Sequence, residues 1–207
     1  MDGVFMKKIA KLLFLCLLLA AAVWVGSVLS DRSDLRDGLI RLHVVAESDS
    51  EEDQAVKMRV RDAITEKLQS AMENLPDAQT AKDYIQAHLP QLQETANQVL
   101  EQAGVAARAV VTLGKEAFPT RQYDTFTLPA GVYESLRVTI GTGQGHNWWC
   151  VVFPTFCVSA TSEAMADTAV SAGFSASLAG SLTGEKPYQV RFFLMDCIGW
   201  IENLFYQ

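Results

Sequence analysis

The sequence is poor in positive charge and in histidine. It contains 17 lysine and arginine residues against 24 aspartate and glutamate residues, and three histidines among 207 residues. Nucleic-acid binding is disfavoured, because it requires a basic surface. His43, His88 and His146 are scattered and show no spacing typical of a metal site. We therefore predict no nucleic-acid partner, no metal and no cofactor.

A long uncharged run lies near the N-terminus. Three lysines precede residues 12–25, which carry no charge, and small residues near the end of this run could form a cleavage site. This arrangement is typical of a secretory signal or a signal anchor, and residues 12–29 are just long enough to span a membrane. We predict that residues 1–30 are a signal peptide or a membrane anchor, and the sequence leaves their cleavage open. Without them the formal net charge changes from −7 to −9, because three lysines and Asp2 are removed.

The exported part of the chain has the pattern of an α+β domain. Alternating apolar and polar residues predict four strands, which cover residues 39–46, 105–113, 123–127 and 132–140. The last two are expected to form a hairpin. Apolar residues at spacings of three and four predict a helix that ends at Leu75. They also predict helical structure over residues 78–103, either as one helix kinked at Pro90 or as two helices. We predict a mostly antiparallel sheet with helices packed on one face, spanning residues 39–157.

The segments on either side of this domain are predicted to be less regular. Residues 31–38 are charged and are expected to form a mobile tether. Residues 158–186 are rich in alanine, serine and glycine and are expected to form a linker or loop, although a helix over residues 162–172 is an alternative. Residues 187–207 are expected to complete the domain as a strand followed by a short helix that Asp196 caps.

Two motifs are candidate partner-binding sites. The first is the acidic turn at residues 47–53, where Asp49 or Ser50 can cap the following helix and the acids could contact a partner. The second is the glycine-rich loop at residues 141–146 with the Asn-Trp-Trp-Cys run after it. Adjacent tryptophans on a strand face opposite sides, and tryptophan is a common anchor at protein interfaces; burial of both rings in the core is the alternative. The candidate partner-binding residues are Asp49, Ser50, Gly145, Asn147, Trp148 and Trp149.

The cysteines permit a disulfide in an exported domain. Cys16 lies in the N-terminal segment, whereas Cys150 and Cys157 are close in sequence, with Pro154 between them. A loop of this size can bring their Cα atoms within the separation that a disulfide requires. We identify Cys150 and Cys157 as a candidate disulfide, while two buried free thiols, or a bridge from either one to Cys197, remain open.

An exported enzyme is the alternative to a binding protein. His146 lies four residues before Cys150 and could activate it as a thiol nucleophile. Ser48, Asp49 and His43 could form a serine hydrolase site. Neither arrangement has the strand–turn–helix context of a nucleophile elbow. An envelope-anchored structural module is a further alternative, which would need the N-terminal segment but not the tryptophan pair.

Two long blocks of the sequence, with shorter segments between them, resemble the stage II sporulation protein R family. The matching segments are residues 40–54, Lys57, and residues 60–63, 118–120, 129–133 and 141–157, and a weaker similarity resumes at residues 190–194. Their order is the order found in the family, and the exported N-terminus is shared. The sequence departs from the family at Glu47, where the family has asparagine, and the alanine- and serine-rich linker and Cys197 match nothing in it.

The resemblance implies a signalling protein of endospore formation. Proteins of this family are made in the smaller compartment and exported into the space between the forespore and mother-cell membranes. There they activate a membrane-embedded aspartic protease of the mother cell, which removes the pro-sequence of a sigma factor. The resemblance thus implies a ligand and not an enzyme. Its partners are the protease and, through the N-terminal segment, a membrane, and no small-molecule substrate is expected.

Overall fold

A four-stranded mixed sheet lies at the centre of the computed structural model, which describes residues 3–155, 162–183 and 190–206. The described strands are β1 (Ile40–Val45), β2 (Ala109–Phe118), β3 (Arg121–Gln122), β4 (Thr127–Leu128), β5 (Gly131–Ile140) and β6 (Asn147–Phe153). The described helices are α1 (Gly3–Gly38), α2 (Glu51–Met72), α3 (Ala78–Gln102), α4 (Ser162–Ser171), α5 (Ala176–Thr183) and α6 (Val190–Tyr206).

Strand β1 lies inside the sheet, between β5 and β6. The strand order is β2-β5-β1-β6, with β1 parallel to β5 and antiparallel to β6, and β2 antiparallel to β5. The α+β class with a mostly antiparallel sheet is therefore confirmed. The predicted hairpin of residues 123–127 with 132–140 is wrong, because β3 and β4 pair with each other in a separate ribbon. β5 has buried residues on both faces, such as Tyr133 and Leu136, and so fits inside the sheet.

Helices α2 and α3 cover one face of the sheet. Their buried apolar residues recur at helical spacing and pack against Leu42 and Val44 of β1 and against Leu136 and Val138 of β5. The helix residues in this first core include Val60, Ile64, Leu68, Ile85, Leu92 and Leu100. Pro90 lies inside α3, so of the two predicted alternatives the single helix is the one that occurs.

A second helical layer covers part of the opposite face, where the sequence predicted none. The end of α1 together with α5 and α6 packs against Phe118, Tyr133 and Val151 of the sheet. The helix residues in this second core include Val28, Leu35, Leu178, Leu182, Phe192 and Met195. The predicted arrangement with helices on one face is wrong in this respect, because the sequence of this layer has the patterns of a tether, a linker and a strand.

The predicted tether at residues 31–38 is part of α1. Val28, Asp31 and Leu35 are buried and lie at spacings of three and four, so they form one stripe of the helix against the domain. Leu35 is fully buried, with 0% of its surface exposed. The charges of this segment obscure the stripe, because only a few positions of each turn contact the domain.

The C-terminal segments are helical as well. The described part of the predicted linker forms α4 and α5, in which Leu178 and Leu182 supply a buried stripe among small residues. The predicted strand before Asp196 is wrong over its described part, because Phe192 and Met195 are buried at helical spacing in α6. Asp196 therefore lies within the helix and does not cap it. The rest of both predictions, at residues 158–161 and 184–189, falls outside the described residues.

Within the described residues, one helix is long and apolar enough to cross a membrane. This segment is Met6–Gly38, and 6% of its most apolar window is buried inside the structure. Its position near the N-terminus and the lysines at its start fit a signal peptide or a membrane anchor.

Side chains of α3 bond the outer edge of β2. Asn97 Oδ1 accepts a hydrogen bond from Ala109 N at 2.9 Å, and Gln93 Oε1 accepts one from Val111 N at 3.2 Å. α6 contributes further bonds to the backbone of the same strand. Four of the backbone groups that an edge strand usually leaves open are thus occupied.

We expect Leu35→Ala to lower the free energy of unfolding by about 2–5 kcal/mol, because truncating a fully buried leucine leaves a cavity. Asp34→Ala, at an exposed position of the same helix, is the control and should change it by less than about 0.5 kcal/mol. The full chain of each variant and of the parent is unfolded with a chemical denaturant in detergent, and unfolding is monitored by tryptophan fluorescence. Equal stability of the two variants would mean that residues 31–38 behave as a tether.

Candidate functional site

The two sequence motifs meet at one edge of the sheet. The acidic turn, residues 47–53, follows β1, and the glycine loop, residues 141–146, follows β5. Because β1 and β5 are parallel, their carboxyl ends lie at the same edge. β6 is antiparallel to β1 and starts there, with Asn147 paired to Val45. Segments that are far apart in sequence therefore form one surface.

Glu47 joins the acidic turn to the glycine loop. Its carboxylate accepts hydrogen bonds from the Thr142 backbone N and hydroxyl, both at 3.0 Å. Its carbonyl oxygen accepts a bond from Gln144 N at 3.1 Å, and the carbonyl of Ala46 accepts one from Gly145 N at 3.0 Å. The loop is thus held to the turn by both main-chain and side-chain bonds.

Two glycines are required by this close approach. Gly141 has a φ of +54°, and a Cβ added there would lie 1.2 Å from Glu47 Oε2. A Cβ added at Gly145 would lie 2.2 Å from the carbonyl oxygen of Ser48. Only a residue without a side chain fits at either position. Gly145 therefore shapes the site through its backbone.

Asp49 bonds the glycine loop, whereas Ser50 caps α2. Asp49 Oδ1 accepts a hydrogen bond from His146 N at 2.6 Å and lies 2.5 Å from His146 Nδ1. The Ser50 hydroxyl accepts a bond from Asp53 N at 3.1 Å. Of the two predicted caps, Ser50 is the one that occurs. The side chains of Asp49 and His146 are 55% and 77% exposed, so this pair is open to a partner.

Lys57 of α2 bonds the glycine loop from the buried side. The residue is only 4% exposed, and its Nζ donates to His146 O at 3.1 Å and to Gln54 Oε1 at 2.5 Å. Burial lowers the pKa of Lys57; the charge of Asp49 opposes this shift and that of Arg61 adds to it. A buried ammonium group bonded to the loop carbonyl fixes the loop on α2.

The two tryptophans lie on opposite faces of β6, as their adjacency predicts. Trp148 packs against the first core, and the guanidinium carbon of Arg61 lies 4.6 Å from the centre of its ring. Trp149 packs on the other face, stacked on His43 at 3.9 Å between ring centres and in edge contact with Phe118 at 4.8 Å. Both tryptophans are half-buried, so neither ring is wholly absorbed into a core.

His43 links this edge to a buried polar network on the second face of the sheet. His43 is 3% exposed; its Nδ1 lies 2.8 Å from Glu116 Oε1 and its Nε2 lies 2.9 Å from Asn147 Oδ1. Ser135 Oγ and Arg137 Nη1 each donate to the Glu116 carboxylate at 2.8 Å. Burial alone would raise the pKa of Glu116, but the bonds and charges of His43, Ser135 and Arg137 outweigh it and lower the pKa. The Asn147 side chain is therefore held by His43, whose ring is in turn bonded to Glu116.

The serine hydrolase arrangement considered from the sequence is not assembled. The ring nitrogens of His43 contact Glu116 and Asn147, as described, whereas Ser48 Oγ donates to Asp53 at 2.5 Å. Asp49 contacts His146 and not His43. Among the described residues, Ser48 forms no hydrogen bond with a histidine, so the three residues do not act as one unit.

The cysteines argue against a thiol nucleophile at Cys150. Cys150 forms a disulfide, and Cys16 and Cys197 are free. A disulfide sulfur has no free thiolate to attack a substrate. The predicted partner, Cys157, lies outside the described residues.

Several residues that hold this edge were missed by sequence analysis. Lys57 gave a signal, because it occupies the apolar stripe of α2 at helical spacing from Val60 and Ile64. Glu116 gave no signal in the sequence, because it lies beyond residue 113, where the predicted strand ends, whereas β2 continues to Phe118. Glu47 stands out in the sequence only as a departure from a family pattern, because its contact with the loop depends on the pairing of distant strands.

Part of the chain is similar to known sporulation proteins. Residues 36–163 match the stage II sporulation protein R family. A relative, stage II sporulation protein R of Bacillus subtilis (strain 168), is 36% identical over 121 residues, which cover 58% of this chain and 54% of the relative. The chain therefore spans about half the length of this curated relative. No solved structure matches it.

The family match covers both motif blocks and the whole of the sheet. It runs from the end of α1 through β6 and so includes the acidic turn, the glycine loop and the tryptophan pair. A match of this extent, over more than half of the chain and supported by a curated relative, supports a sporulation-related role. The chain belongs to the stage II sporulation protein R family.

Proposed function

We propose that this chain is an exported signal of endospore formation that activates a membrane-embedded aspartic protease of the mother cell. In this proposal α1 delivers the domain into the space between the forespore and mother-cell membranes. The domain then binds the protease, and the activated protease removes the pro-sequence of a sigma factor. The chain acts as a ligand, without a catalytic site of its own.

The observation that carries this proposal is the separation of the anchor from the candidate site. α1 leads into β1 at one end of the strand, and a Cβ added at Gly131, at the start of β5, would lie 3.7 Å from Arg32 Nη2 of α1. The acidic turn and the glycine loop lie at the other end of both strands. β1 has 6 residues, a length of about 20 Å. A domain held to one membrane through α1 thus presents the site towards a facing membrane.

The construction of the site suits a ligand. The acidic turn and the glycine loop are bonded to each other and to Lys57, so the surface is formed before any partner binds. A preformed surface loses little conformational entropy on association. The exposed carboxylate of Asp49 favours a basic or hydrogen-bond-donating segment of the protease as the contacting group.

We expect processing of the pro-sigma factor when the chain, the protease and the substrate are produced together in a host that does not sporulate. Processing should depend on export, because the chain must reach the far side of the membrane that holds the protease. The control lacks residues 1–26, of which the described side chains lie outside both cores. The processed substrate is measured by its shift on a gel.

Two outcomes of this experiment contradict the proposal. Equal processing by the exported and the truncated chain would exclude action across a membrane. Absence of processing by a folded, exported chain would exclude activation of the protease. A titration of the chain at a fixed amount of protease separates a ligand from an enzyme, since a ligand saturates once it matches the protease.

We expect Asp49→Ala to reduce processing at limiting amounts of the chain by about two- to fivefold. The substitution removes a charged acceptor for His146, and because both side chains are more than half exposed, this bond is worth about 0.5–1 kcal/mol. Asp83→Ala is the matched control, because Asp83 is an exposed carboxylate on α3 that also accepts one side-chain bond. Processing in the presence of this control should equal that in the presence of the parent chain.

Asp49→Asn distinguishes two roles of this carboxylate. Asparagine keeps an acceptor for His146 N but loses the charge. Recovery of processing would mean that Asp49 holds the loop, whereas loss equal to that of Asp49→Ala would mean that its charge contacts the protease. If the folded Asp49→Ala, Asp49→Asn and Asp83→Ala chains all supported full processing, this edge of the sheet would be excluded from the proposed interface.

A further inference from the structure

Helix α6 presents an apolar face to the outside of the domain. Its exposed residues Phe193, Trp200, Ile201, Leu204 and Phe205 are between 51% and 86% exposed. Their spacing places them on one side of the helix, and we refer to them as the outward stripe. An exposed apolar patch of this kind marks a contact with a protein or a membrane.

The acidic residues of α6 point in the opposite direction. Asp196 accepts hydrogen bonds from Ala130 N at 2.8 Å and from the Thr120 hydroxyl. Glu202 forms an ion pair with Arg32 of α1. Both carboxylates are therefore used inside the domain, and the outward stripe carries no charged residue.

α6 lies at the anchor end of the sheet. It crosses the start of β5 so closely that a Cβ added at Gly199 would lie 1.7 Å from Ala130 O. The pair of Glu202 with Arg32 also places it beside α1. α6 and the end of α1 thus share the end of the sheet that is opposite the acidic turn and the glycine loop.

The length of a membrane span places this end of the domain at the bilayer surface. The apolar run starts at Leu12, after Lys11, and a span of about 20 residues extends from there to about Asp31. α1 already packs against the domain at Val28, inside this range. Arg32 then lies at the level of the lipid headgroups, and its partner Glu202 brings α6 to the same level.

We propose that the outward stripe of α6 is a second membrane contact, which inserts shallowly into the bilayer that α1 enters. Trp200 suits this depth, because tryptophan favours the membrane–water interface. A helix with one apolar face binds in that region through the face it buries. The inference rests on the proposed anchoring by α1. α6 starts after the family match ends at residue 163, so this contact is a feature outside the matched region.

A lipid bilayer is the favoured occupant of the outward stripe, because the ion pair of Glu202 with Arg32 holds α6 beside the segment of α1 that leaves the apolar run. Leu29 of α1 is 47% exposed and Val25 is 44% exposed just before the helix meets the domain. Any surface beside these residues faces the same lipid. A second copy of the chain or a helix of the protease would have to displace lipid from it.

The test uses the full chain in nanodiscs of phosphatidylcholine and phosphatidylglycerol, with lipids brominated close to the glycerol backbone as quenchers of tryptophan fluorescence. In Trp24→Phe the remaining tryptophans are Trp148 and Trp149, at the far end of the sheet, and Trp200. We expect the brominated lipid to quench this variant. Adding Trp200→Phe, at a position 62% exposed, should remove most of the quenching.

Equal quenching with and without Trp200 would overturn the proposal. Absence of quenching in both chains would also overturn it, and it is the result expected if a protein and not lipid covered the stripe.

Trp200→Phe alone separates this proposal from the anchoring on which it rests. This variant keeps Trp24, which lies in the apolar run and should be quenched by lipids brominated deeper in the acyl chain. Quenching of Trp24 in Trp200→Phe, together with no quenching of Trp200 in Trp24→Phe, would refute only the α6 contact. Absence of Trp24 quenching would refute the anchored placement itself.

A charge on the outward stripe provides a second variant. In the Trp24→Phe chain, Leu204→Glu should remove most of the Trp200 quenching while the far-ultraviolet circular dichroism stays unchanged. Val110→Glu is the matched control, since Val110 on β2 is 54% exposed against 56% for Leu204. Equal quenching of these two variants would contradict insertion of the stripe.

Discussion

Parallel pairing of β1 with β5 is the constraint on which the rest of the structure depends. In the observed register Val45 lies opposite Thr139, so the ends of both strands coincide. This coincidence brings Glu47 within hydrogen-bond distance of Thr142, although 95 residues separate them. A parallel pair needs a long crossover, and the crossover here contains α2 and α3, which cover the face that the pairing creates.

Strand β1 also explains why a second helical layer covers the sheet face opposite α2 and α3. Arg41 and His43 of β1 point to that face and are 0% and 3% exposed. A buried charge is costly unless other groups compensate it. The Arg41 guanidinium carbon lies 4.0 Å from the centre of the Phe118 ring, and Arg41 Nη2 donates to Tyr123 Oη at 3.0 Å. The second helical layer closes over these groups, with Tyr133 so deeply buried that its pKa rises to about 12.

The predictable parts of the fold are those with long periodic patterns. α2, α3, β1 and β5 each bury residues at the spacing that their sequence shows. α6 was misassigned because Phe192 and Leu194 imitate the alternation of a strand, while the buried stripe in fact runs through Phe192 and Met195. A short apolar segment fits both periods, and its partners decide between them.

The candidate site was predictable in its parts but not in its assembly. The acidic turn and the glycine loop were identified, since turn residues and glycines have local signatures. The contact of Asp49 with His146 could not be inferred, because it depends on which strands are neighbours. The same holds for the network of His43 with Glu116 and Asn147, whose members lie on three different strands.

The amide side chains along β2 determine how copies of this domain can meet. An open sheet edge accepts a strand from a neighbouring molecule, and repeated addition gives extended aggregates. Asn97 and Gln93 already bond the amide groups of Ala109 and Val111, so an incoming strand finds these donors occupied. Growth of the sheet from one molecule into the next is blocked along this part of the edge, and neighbouring copies are left to associate there through side-chain surfaces.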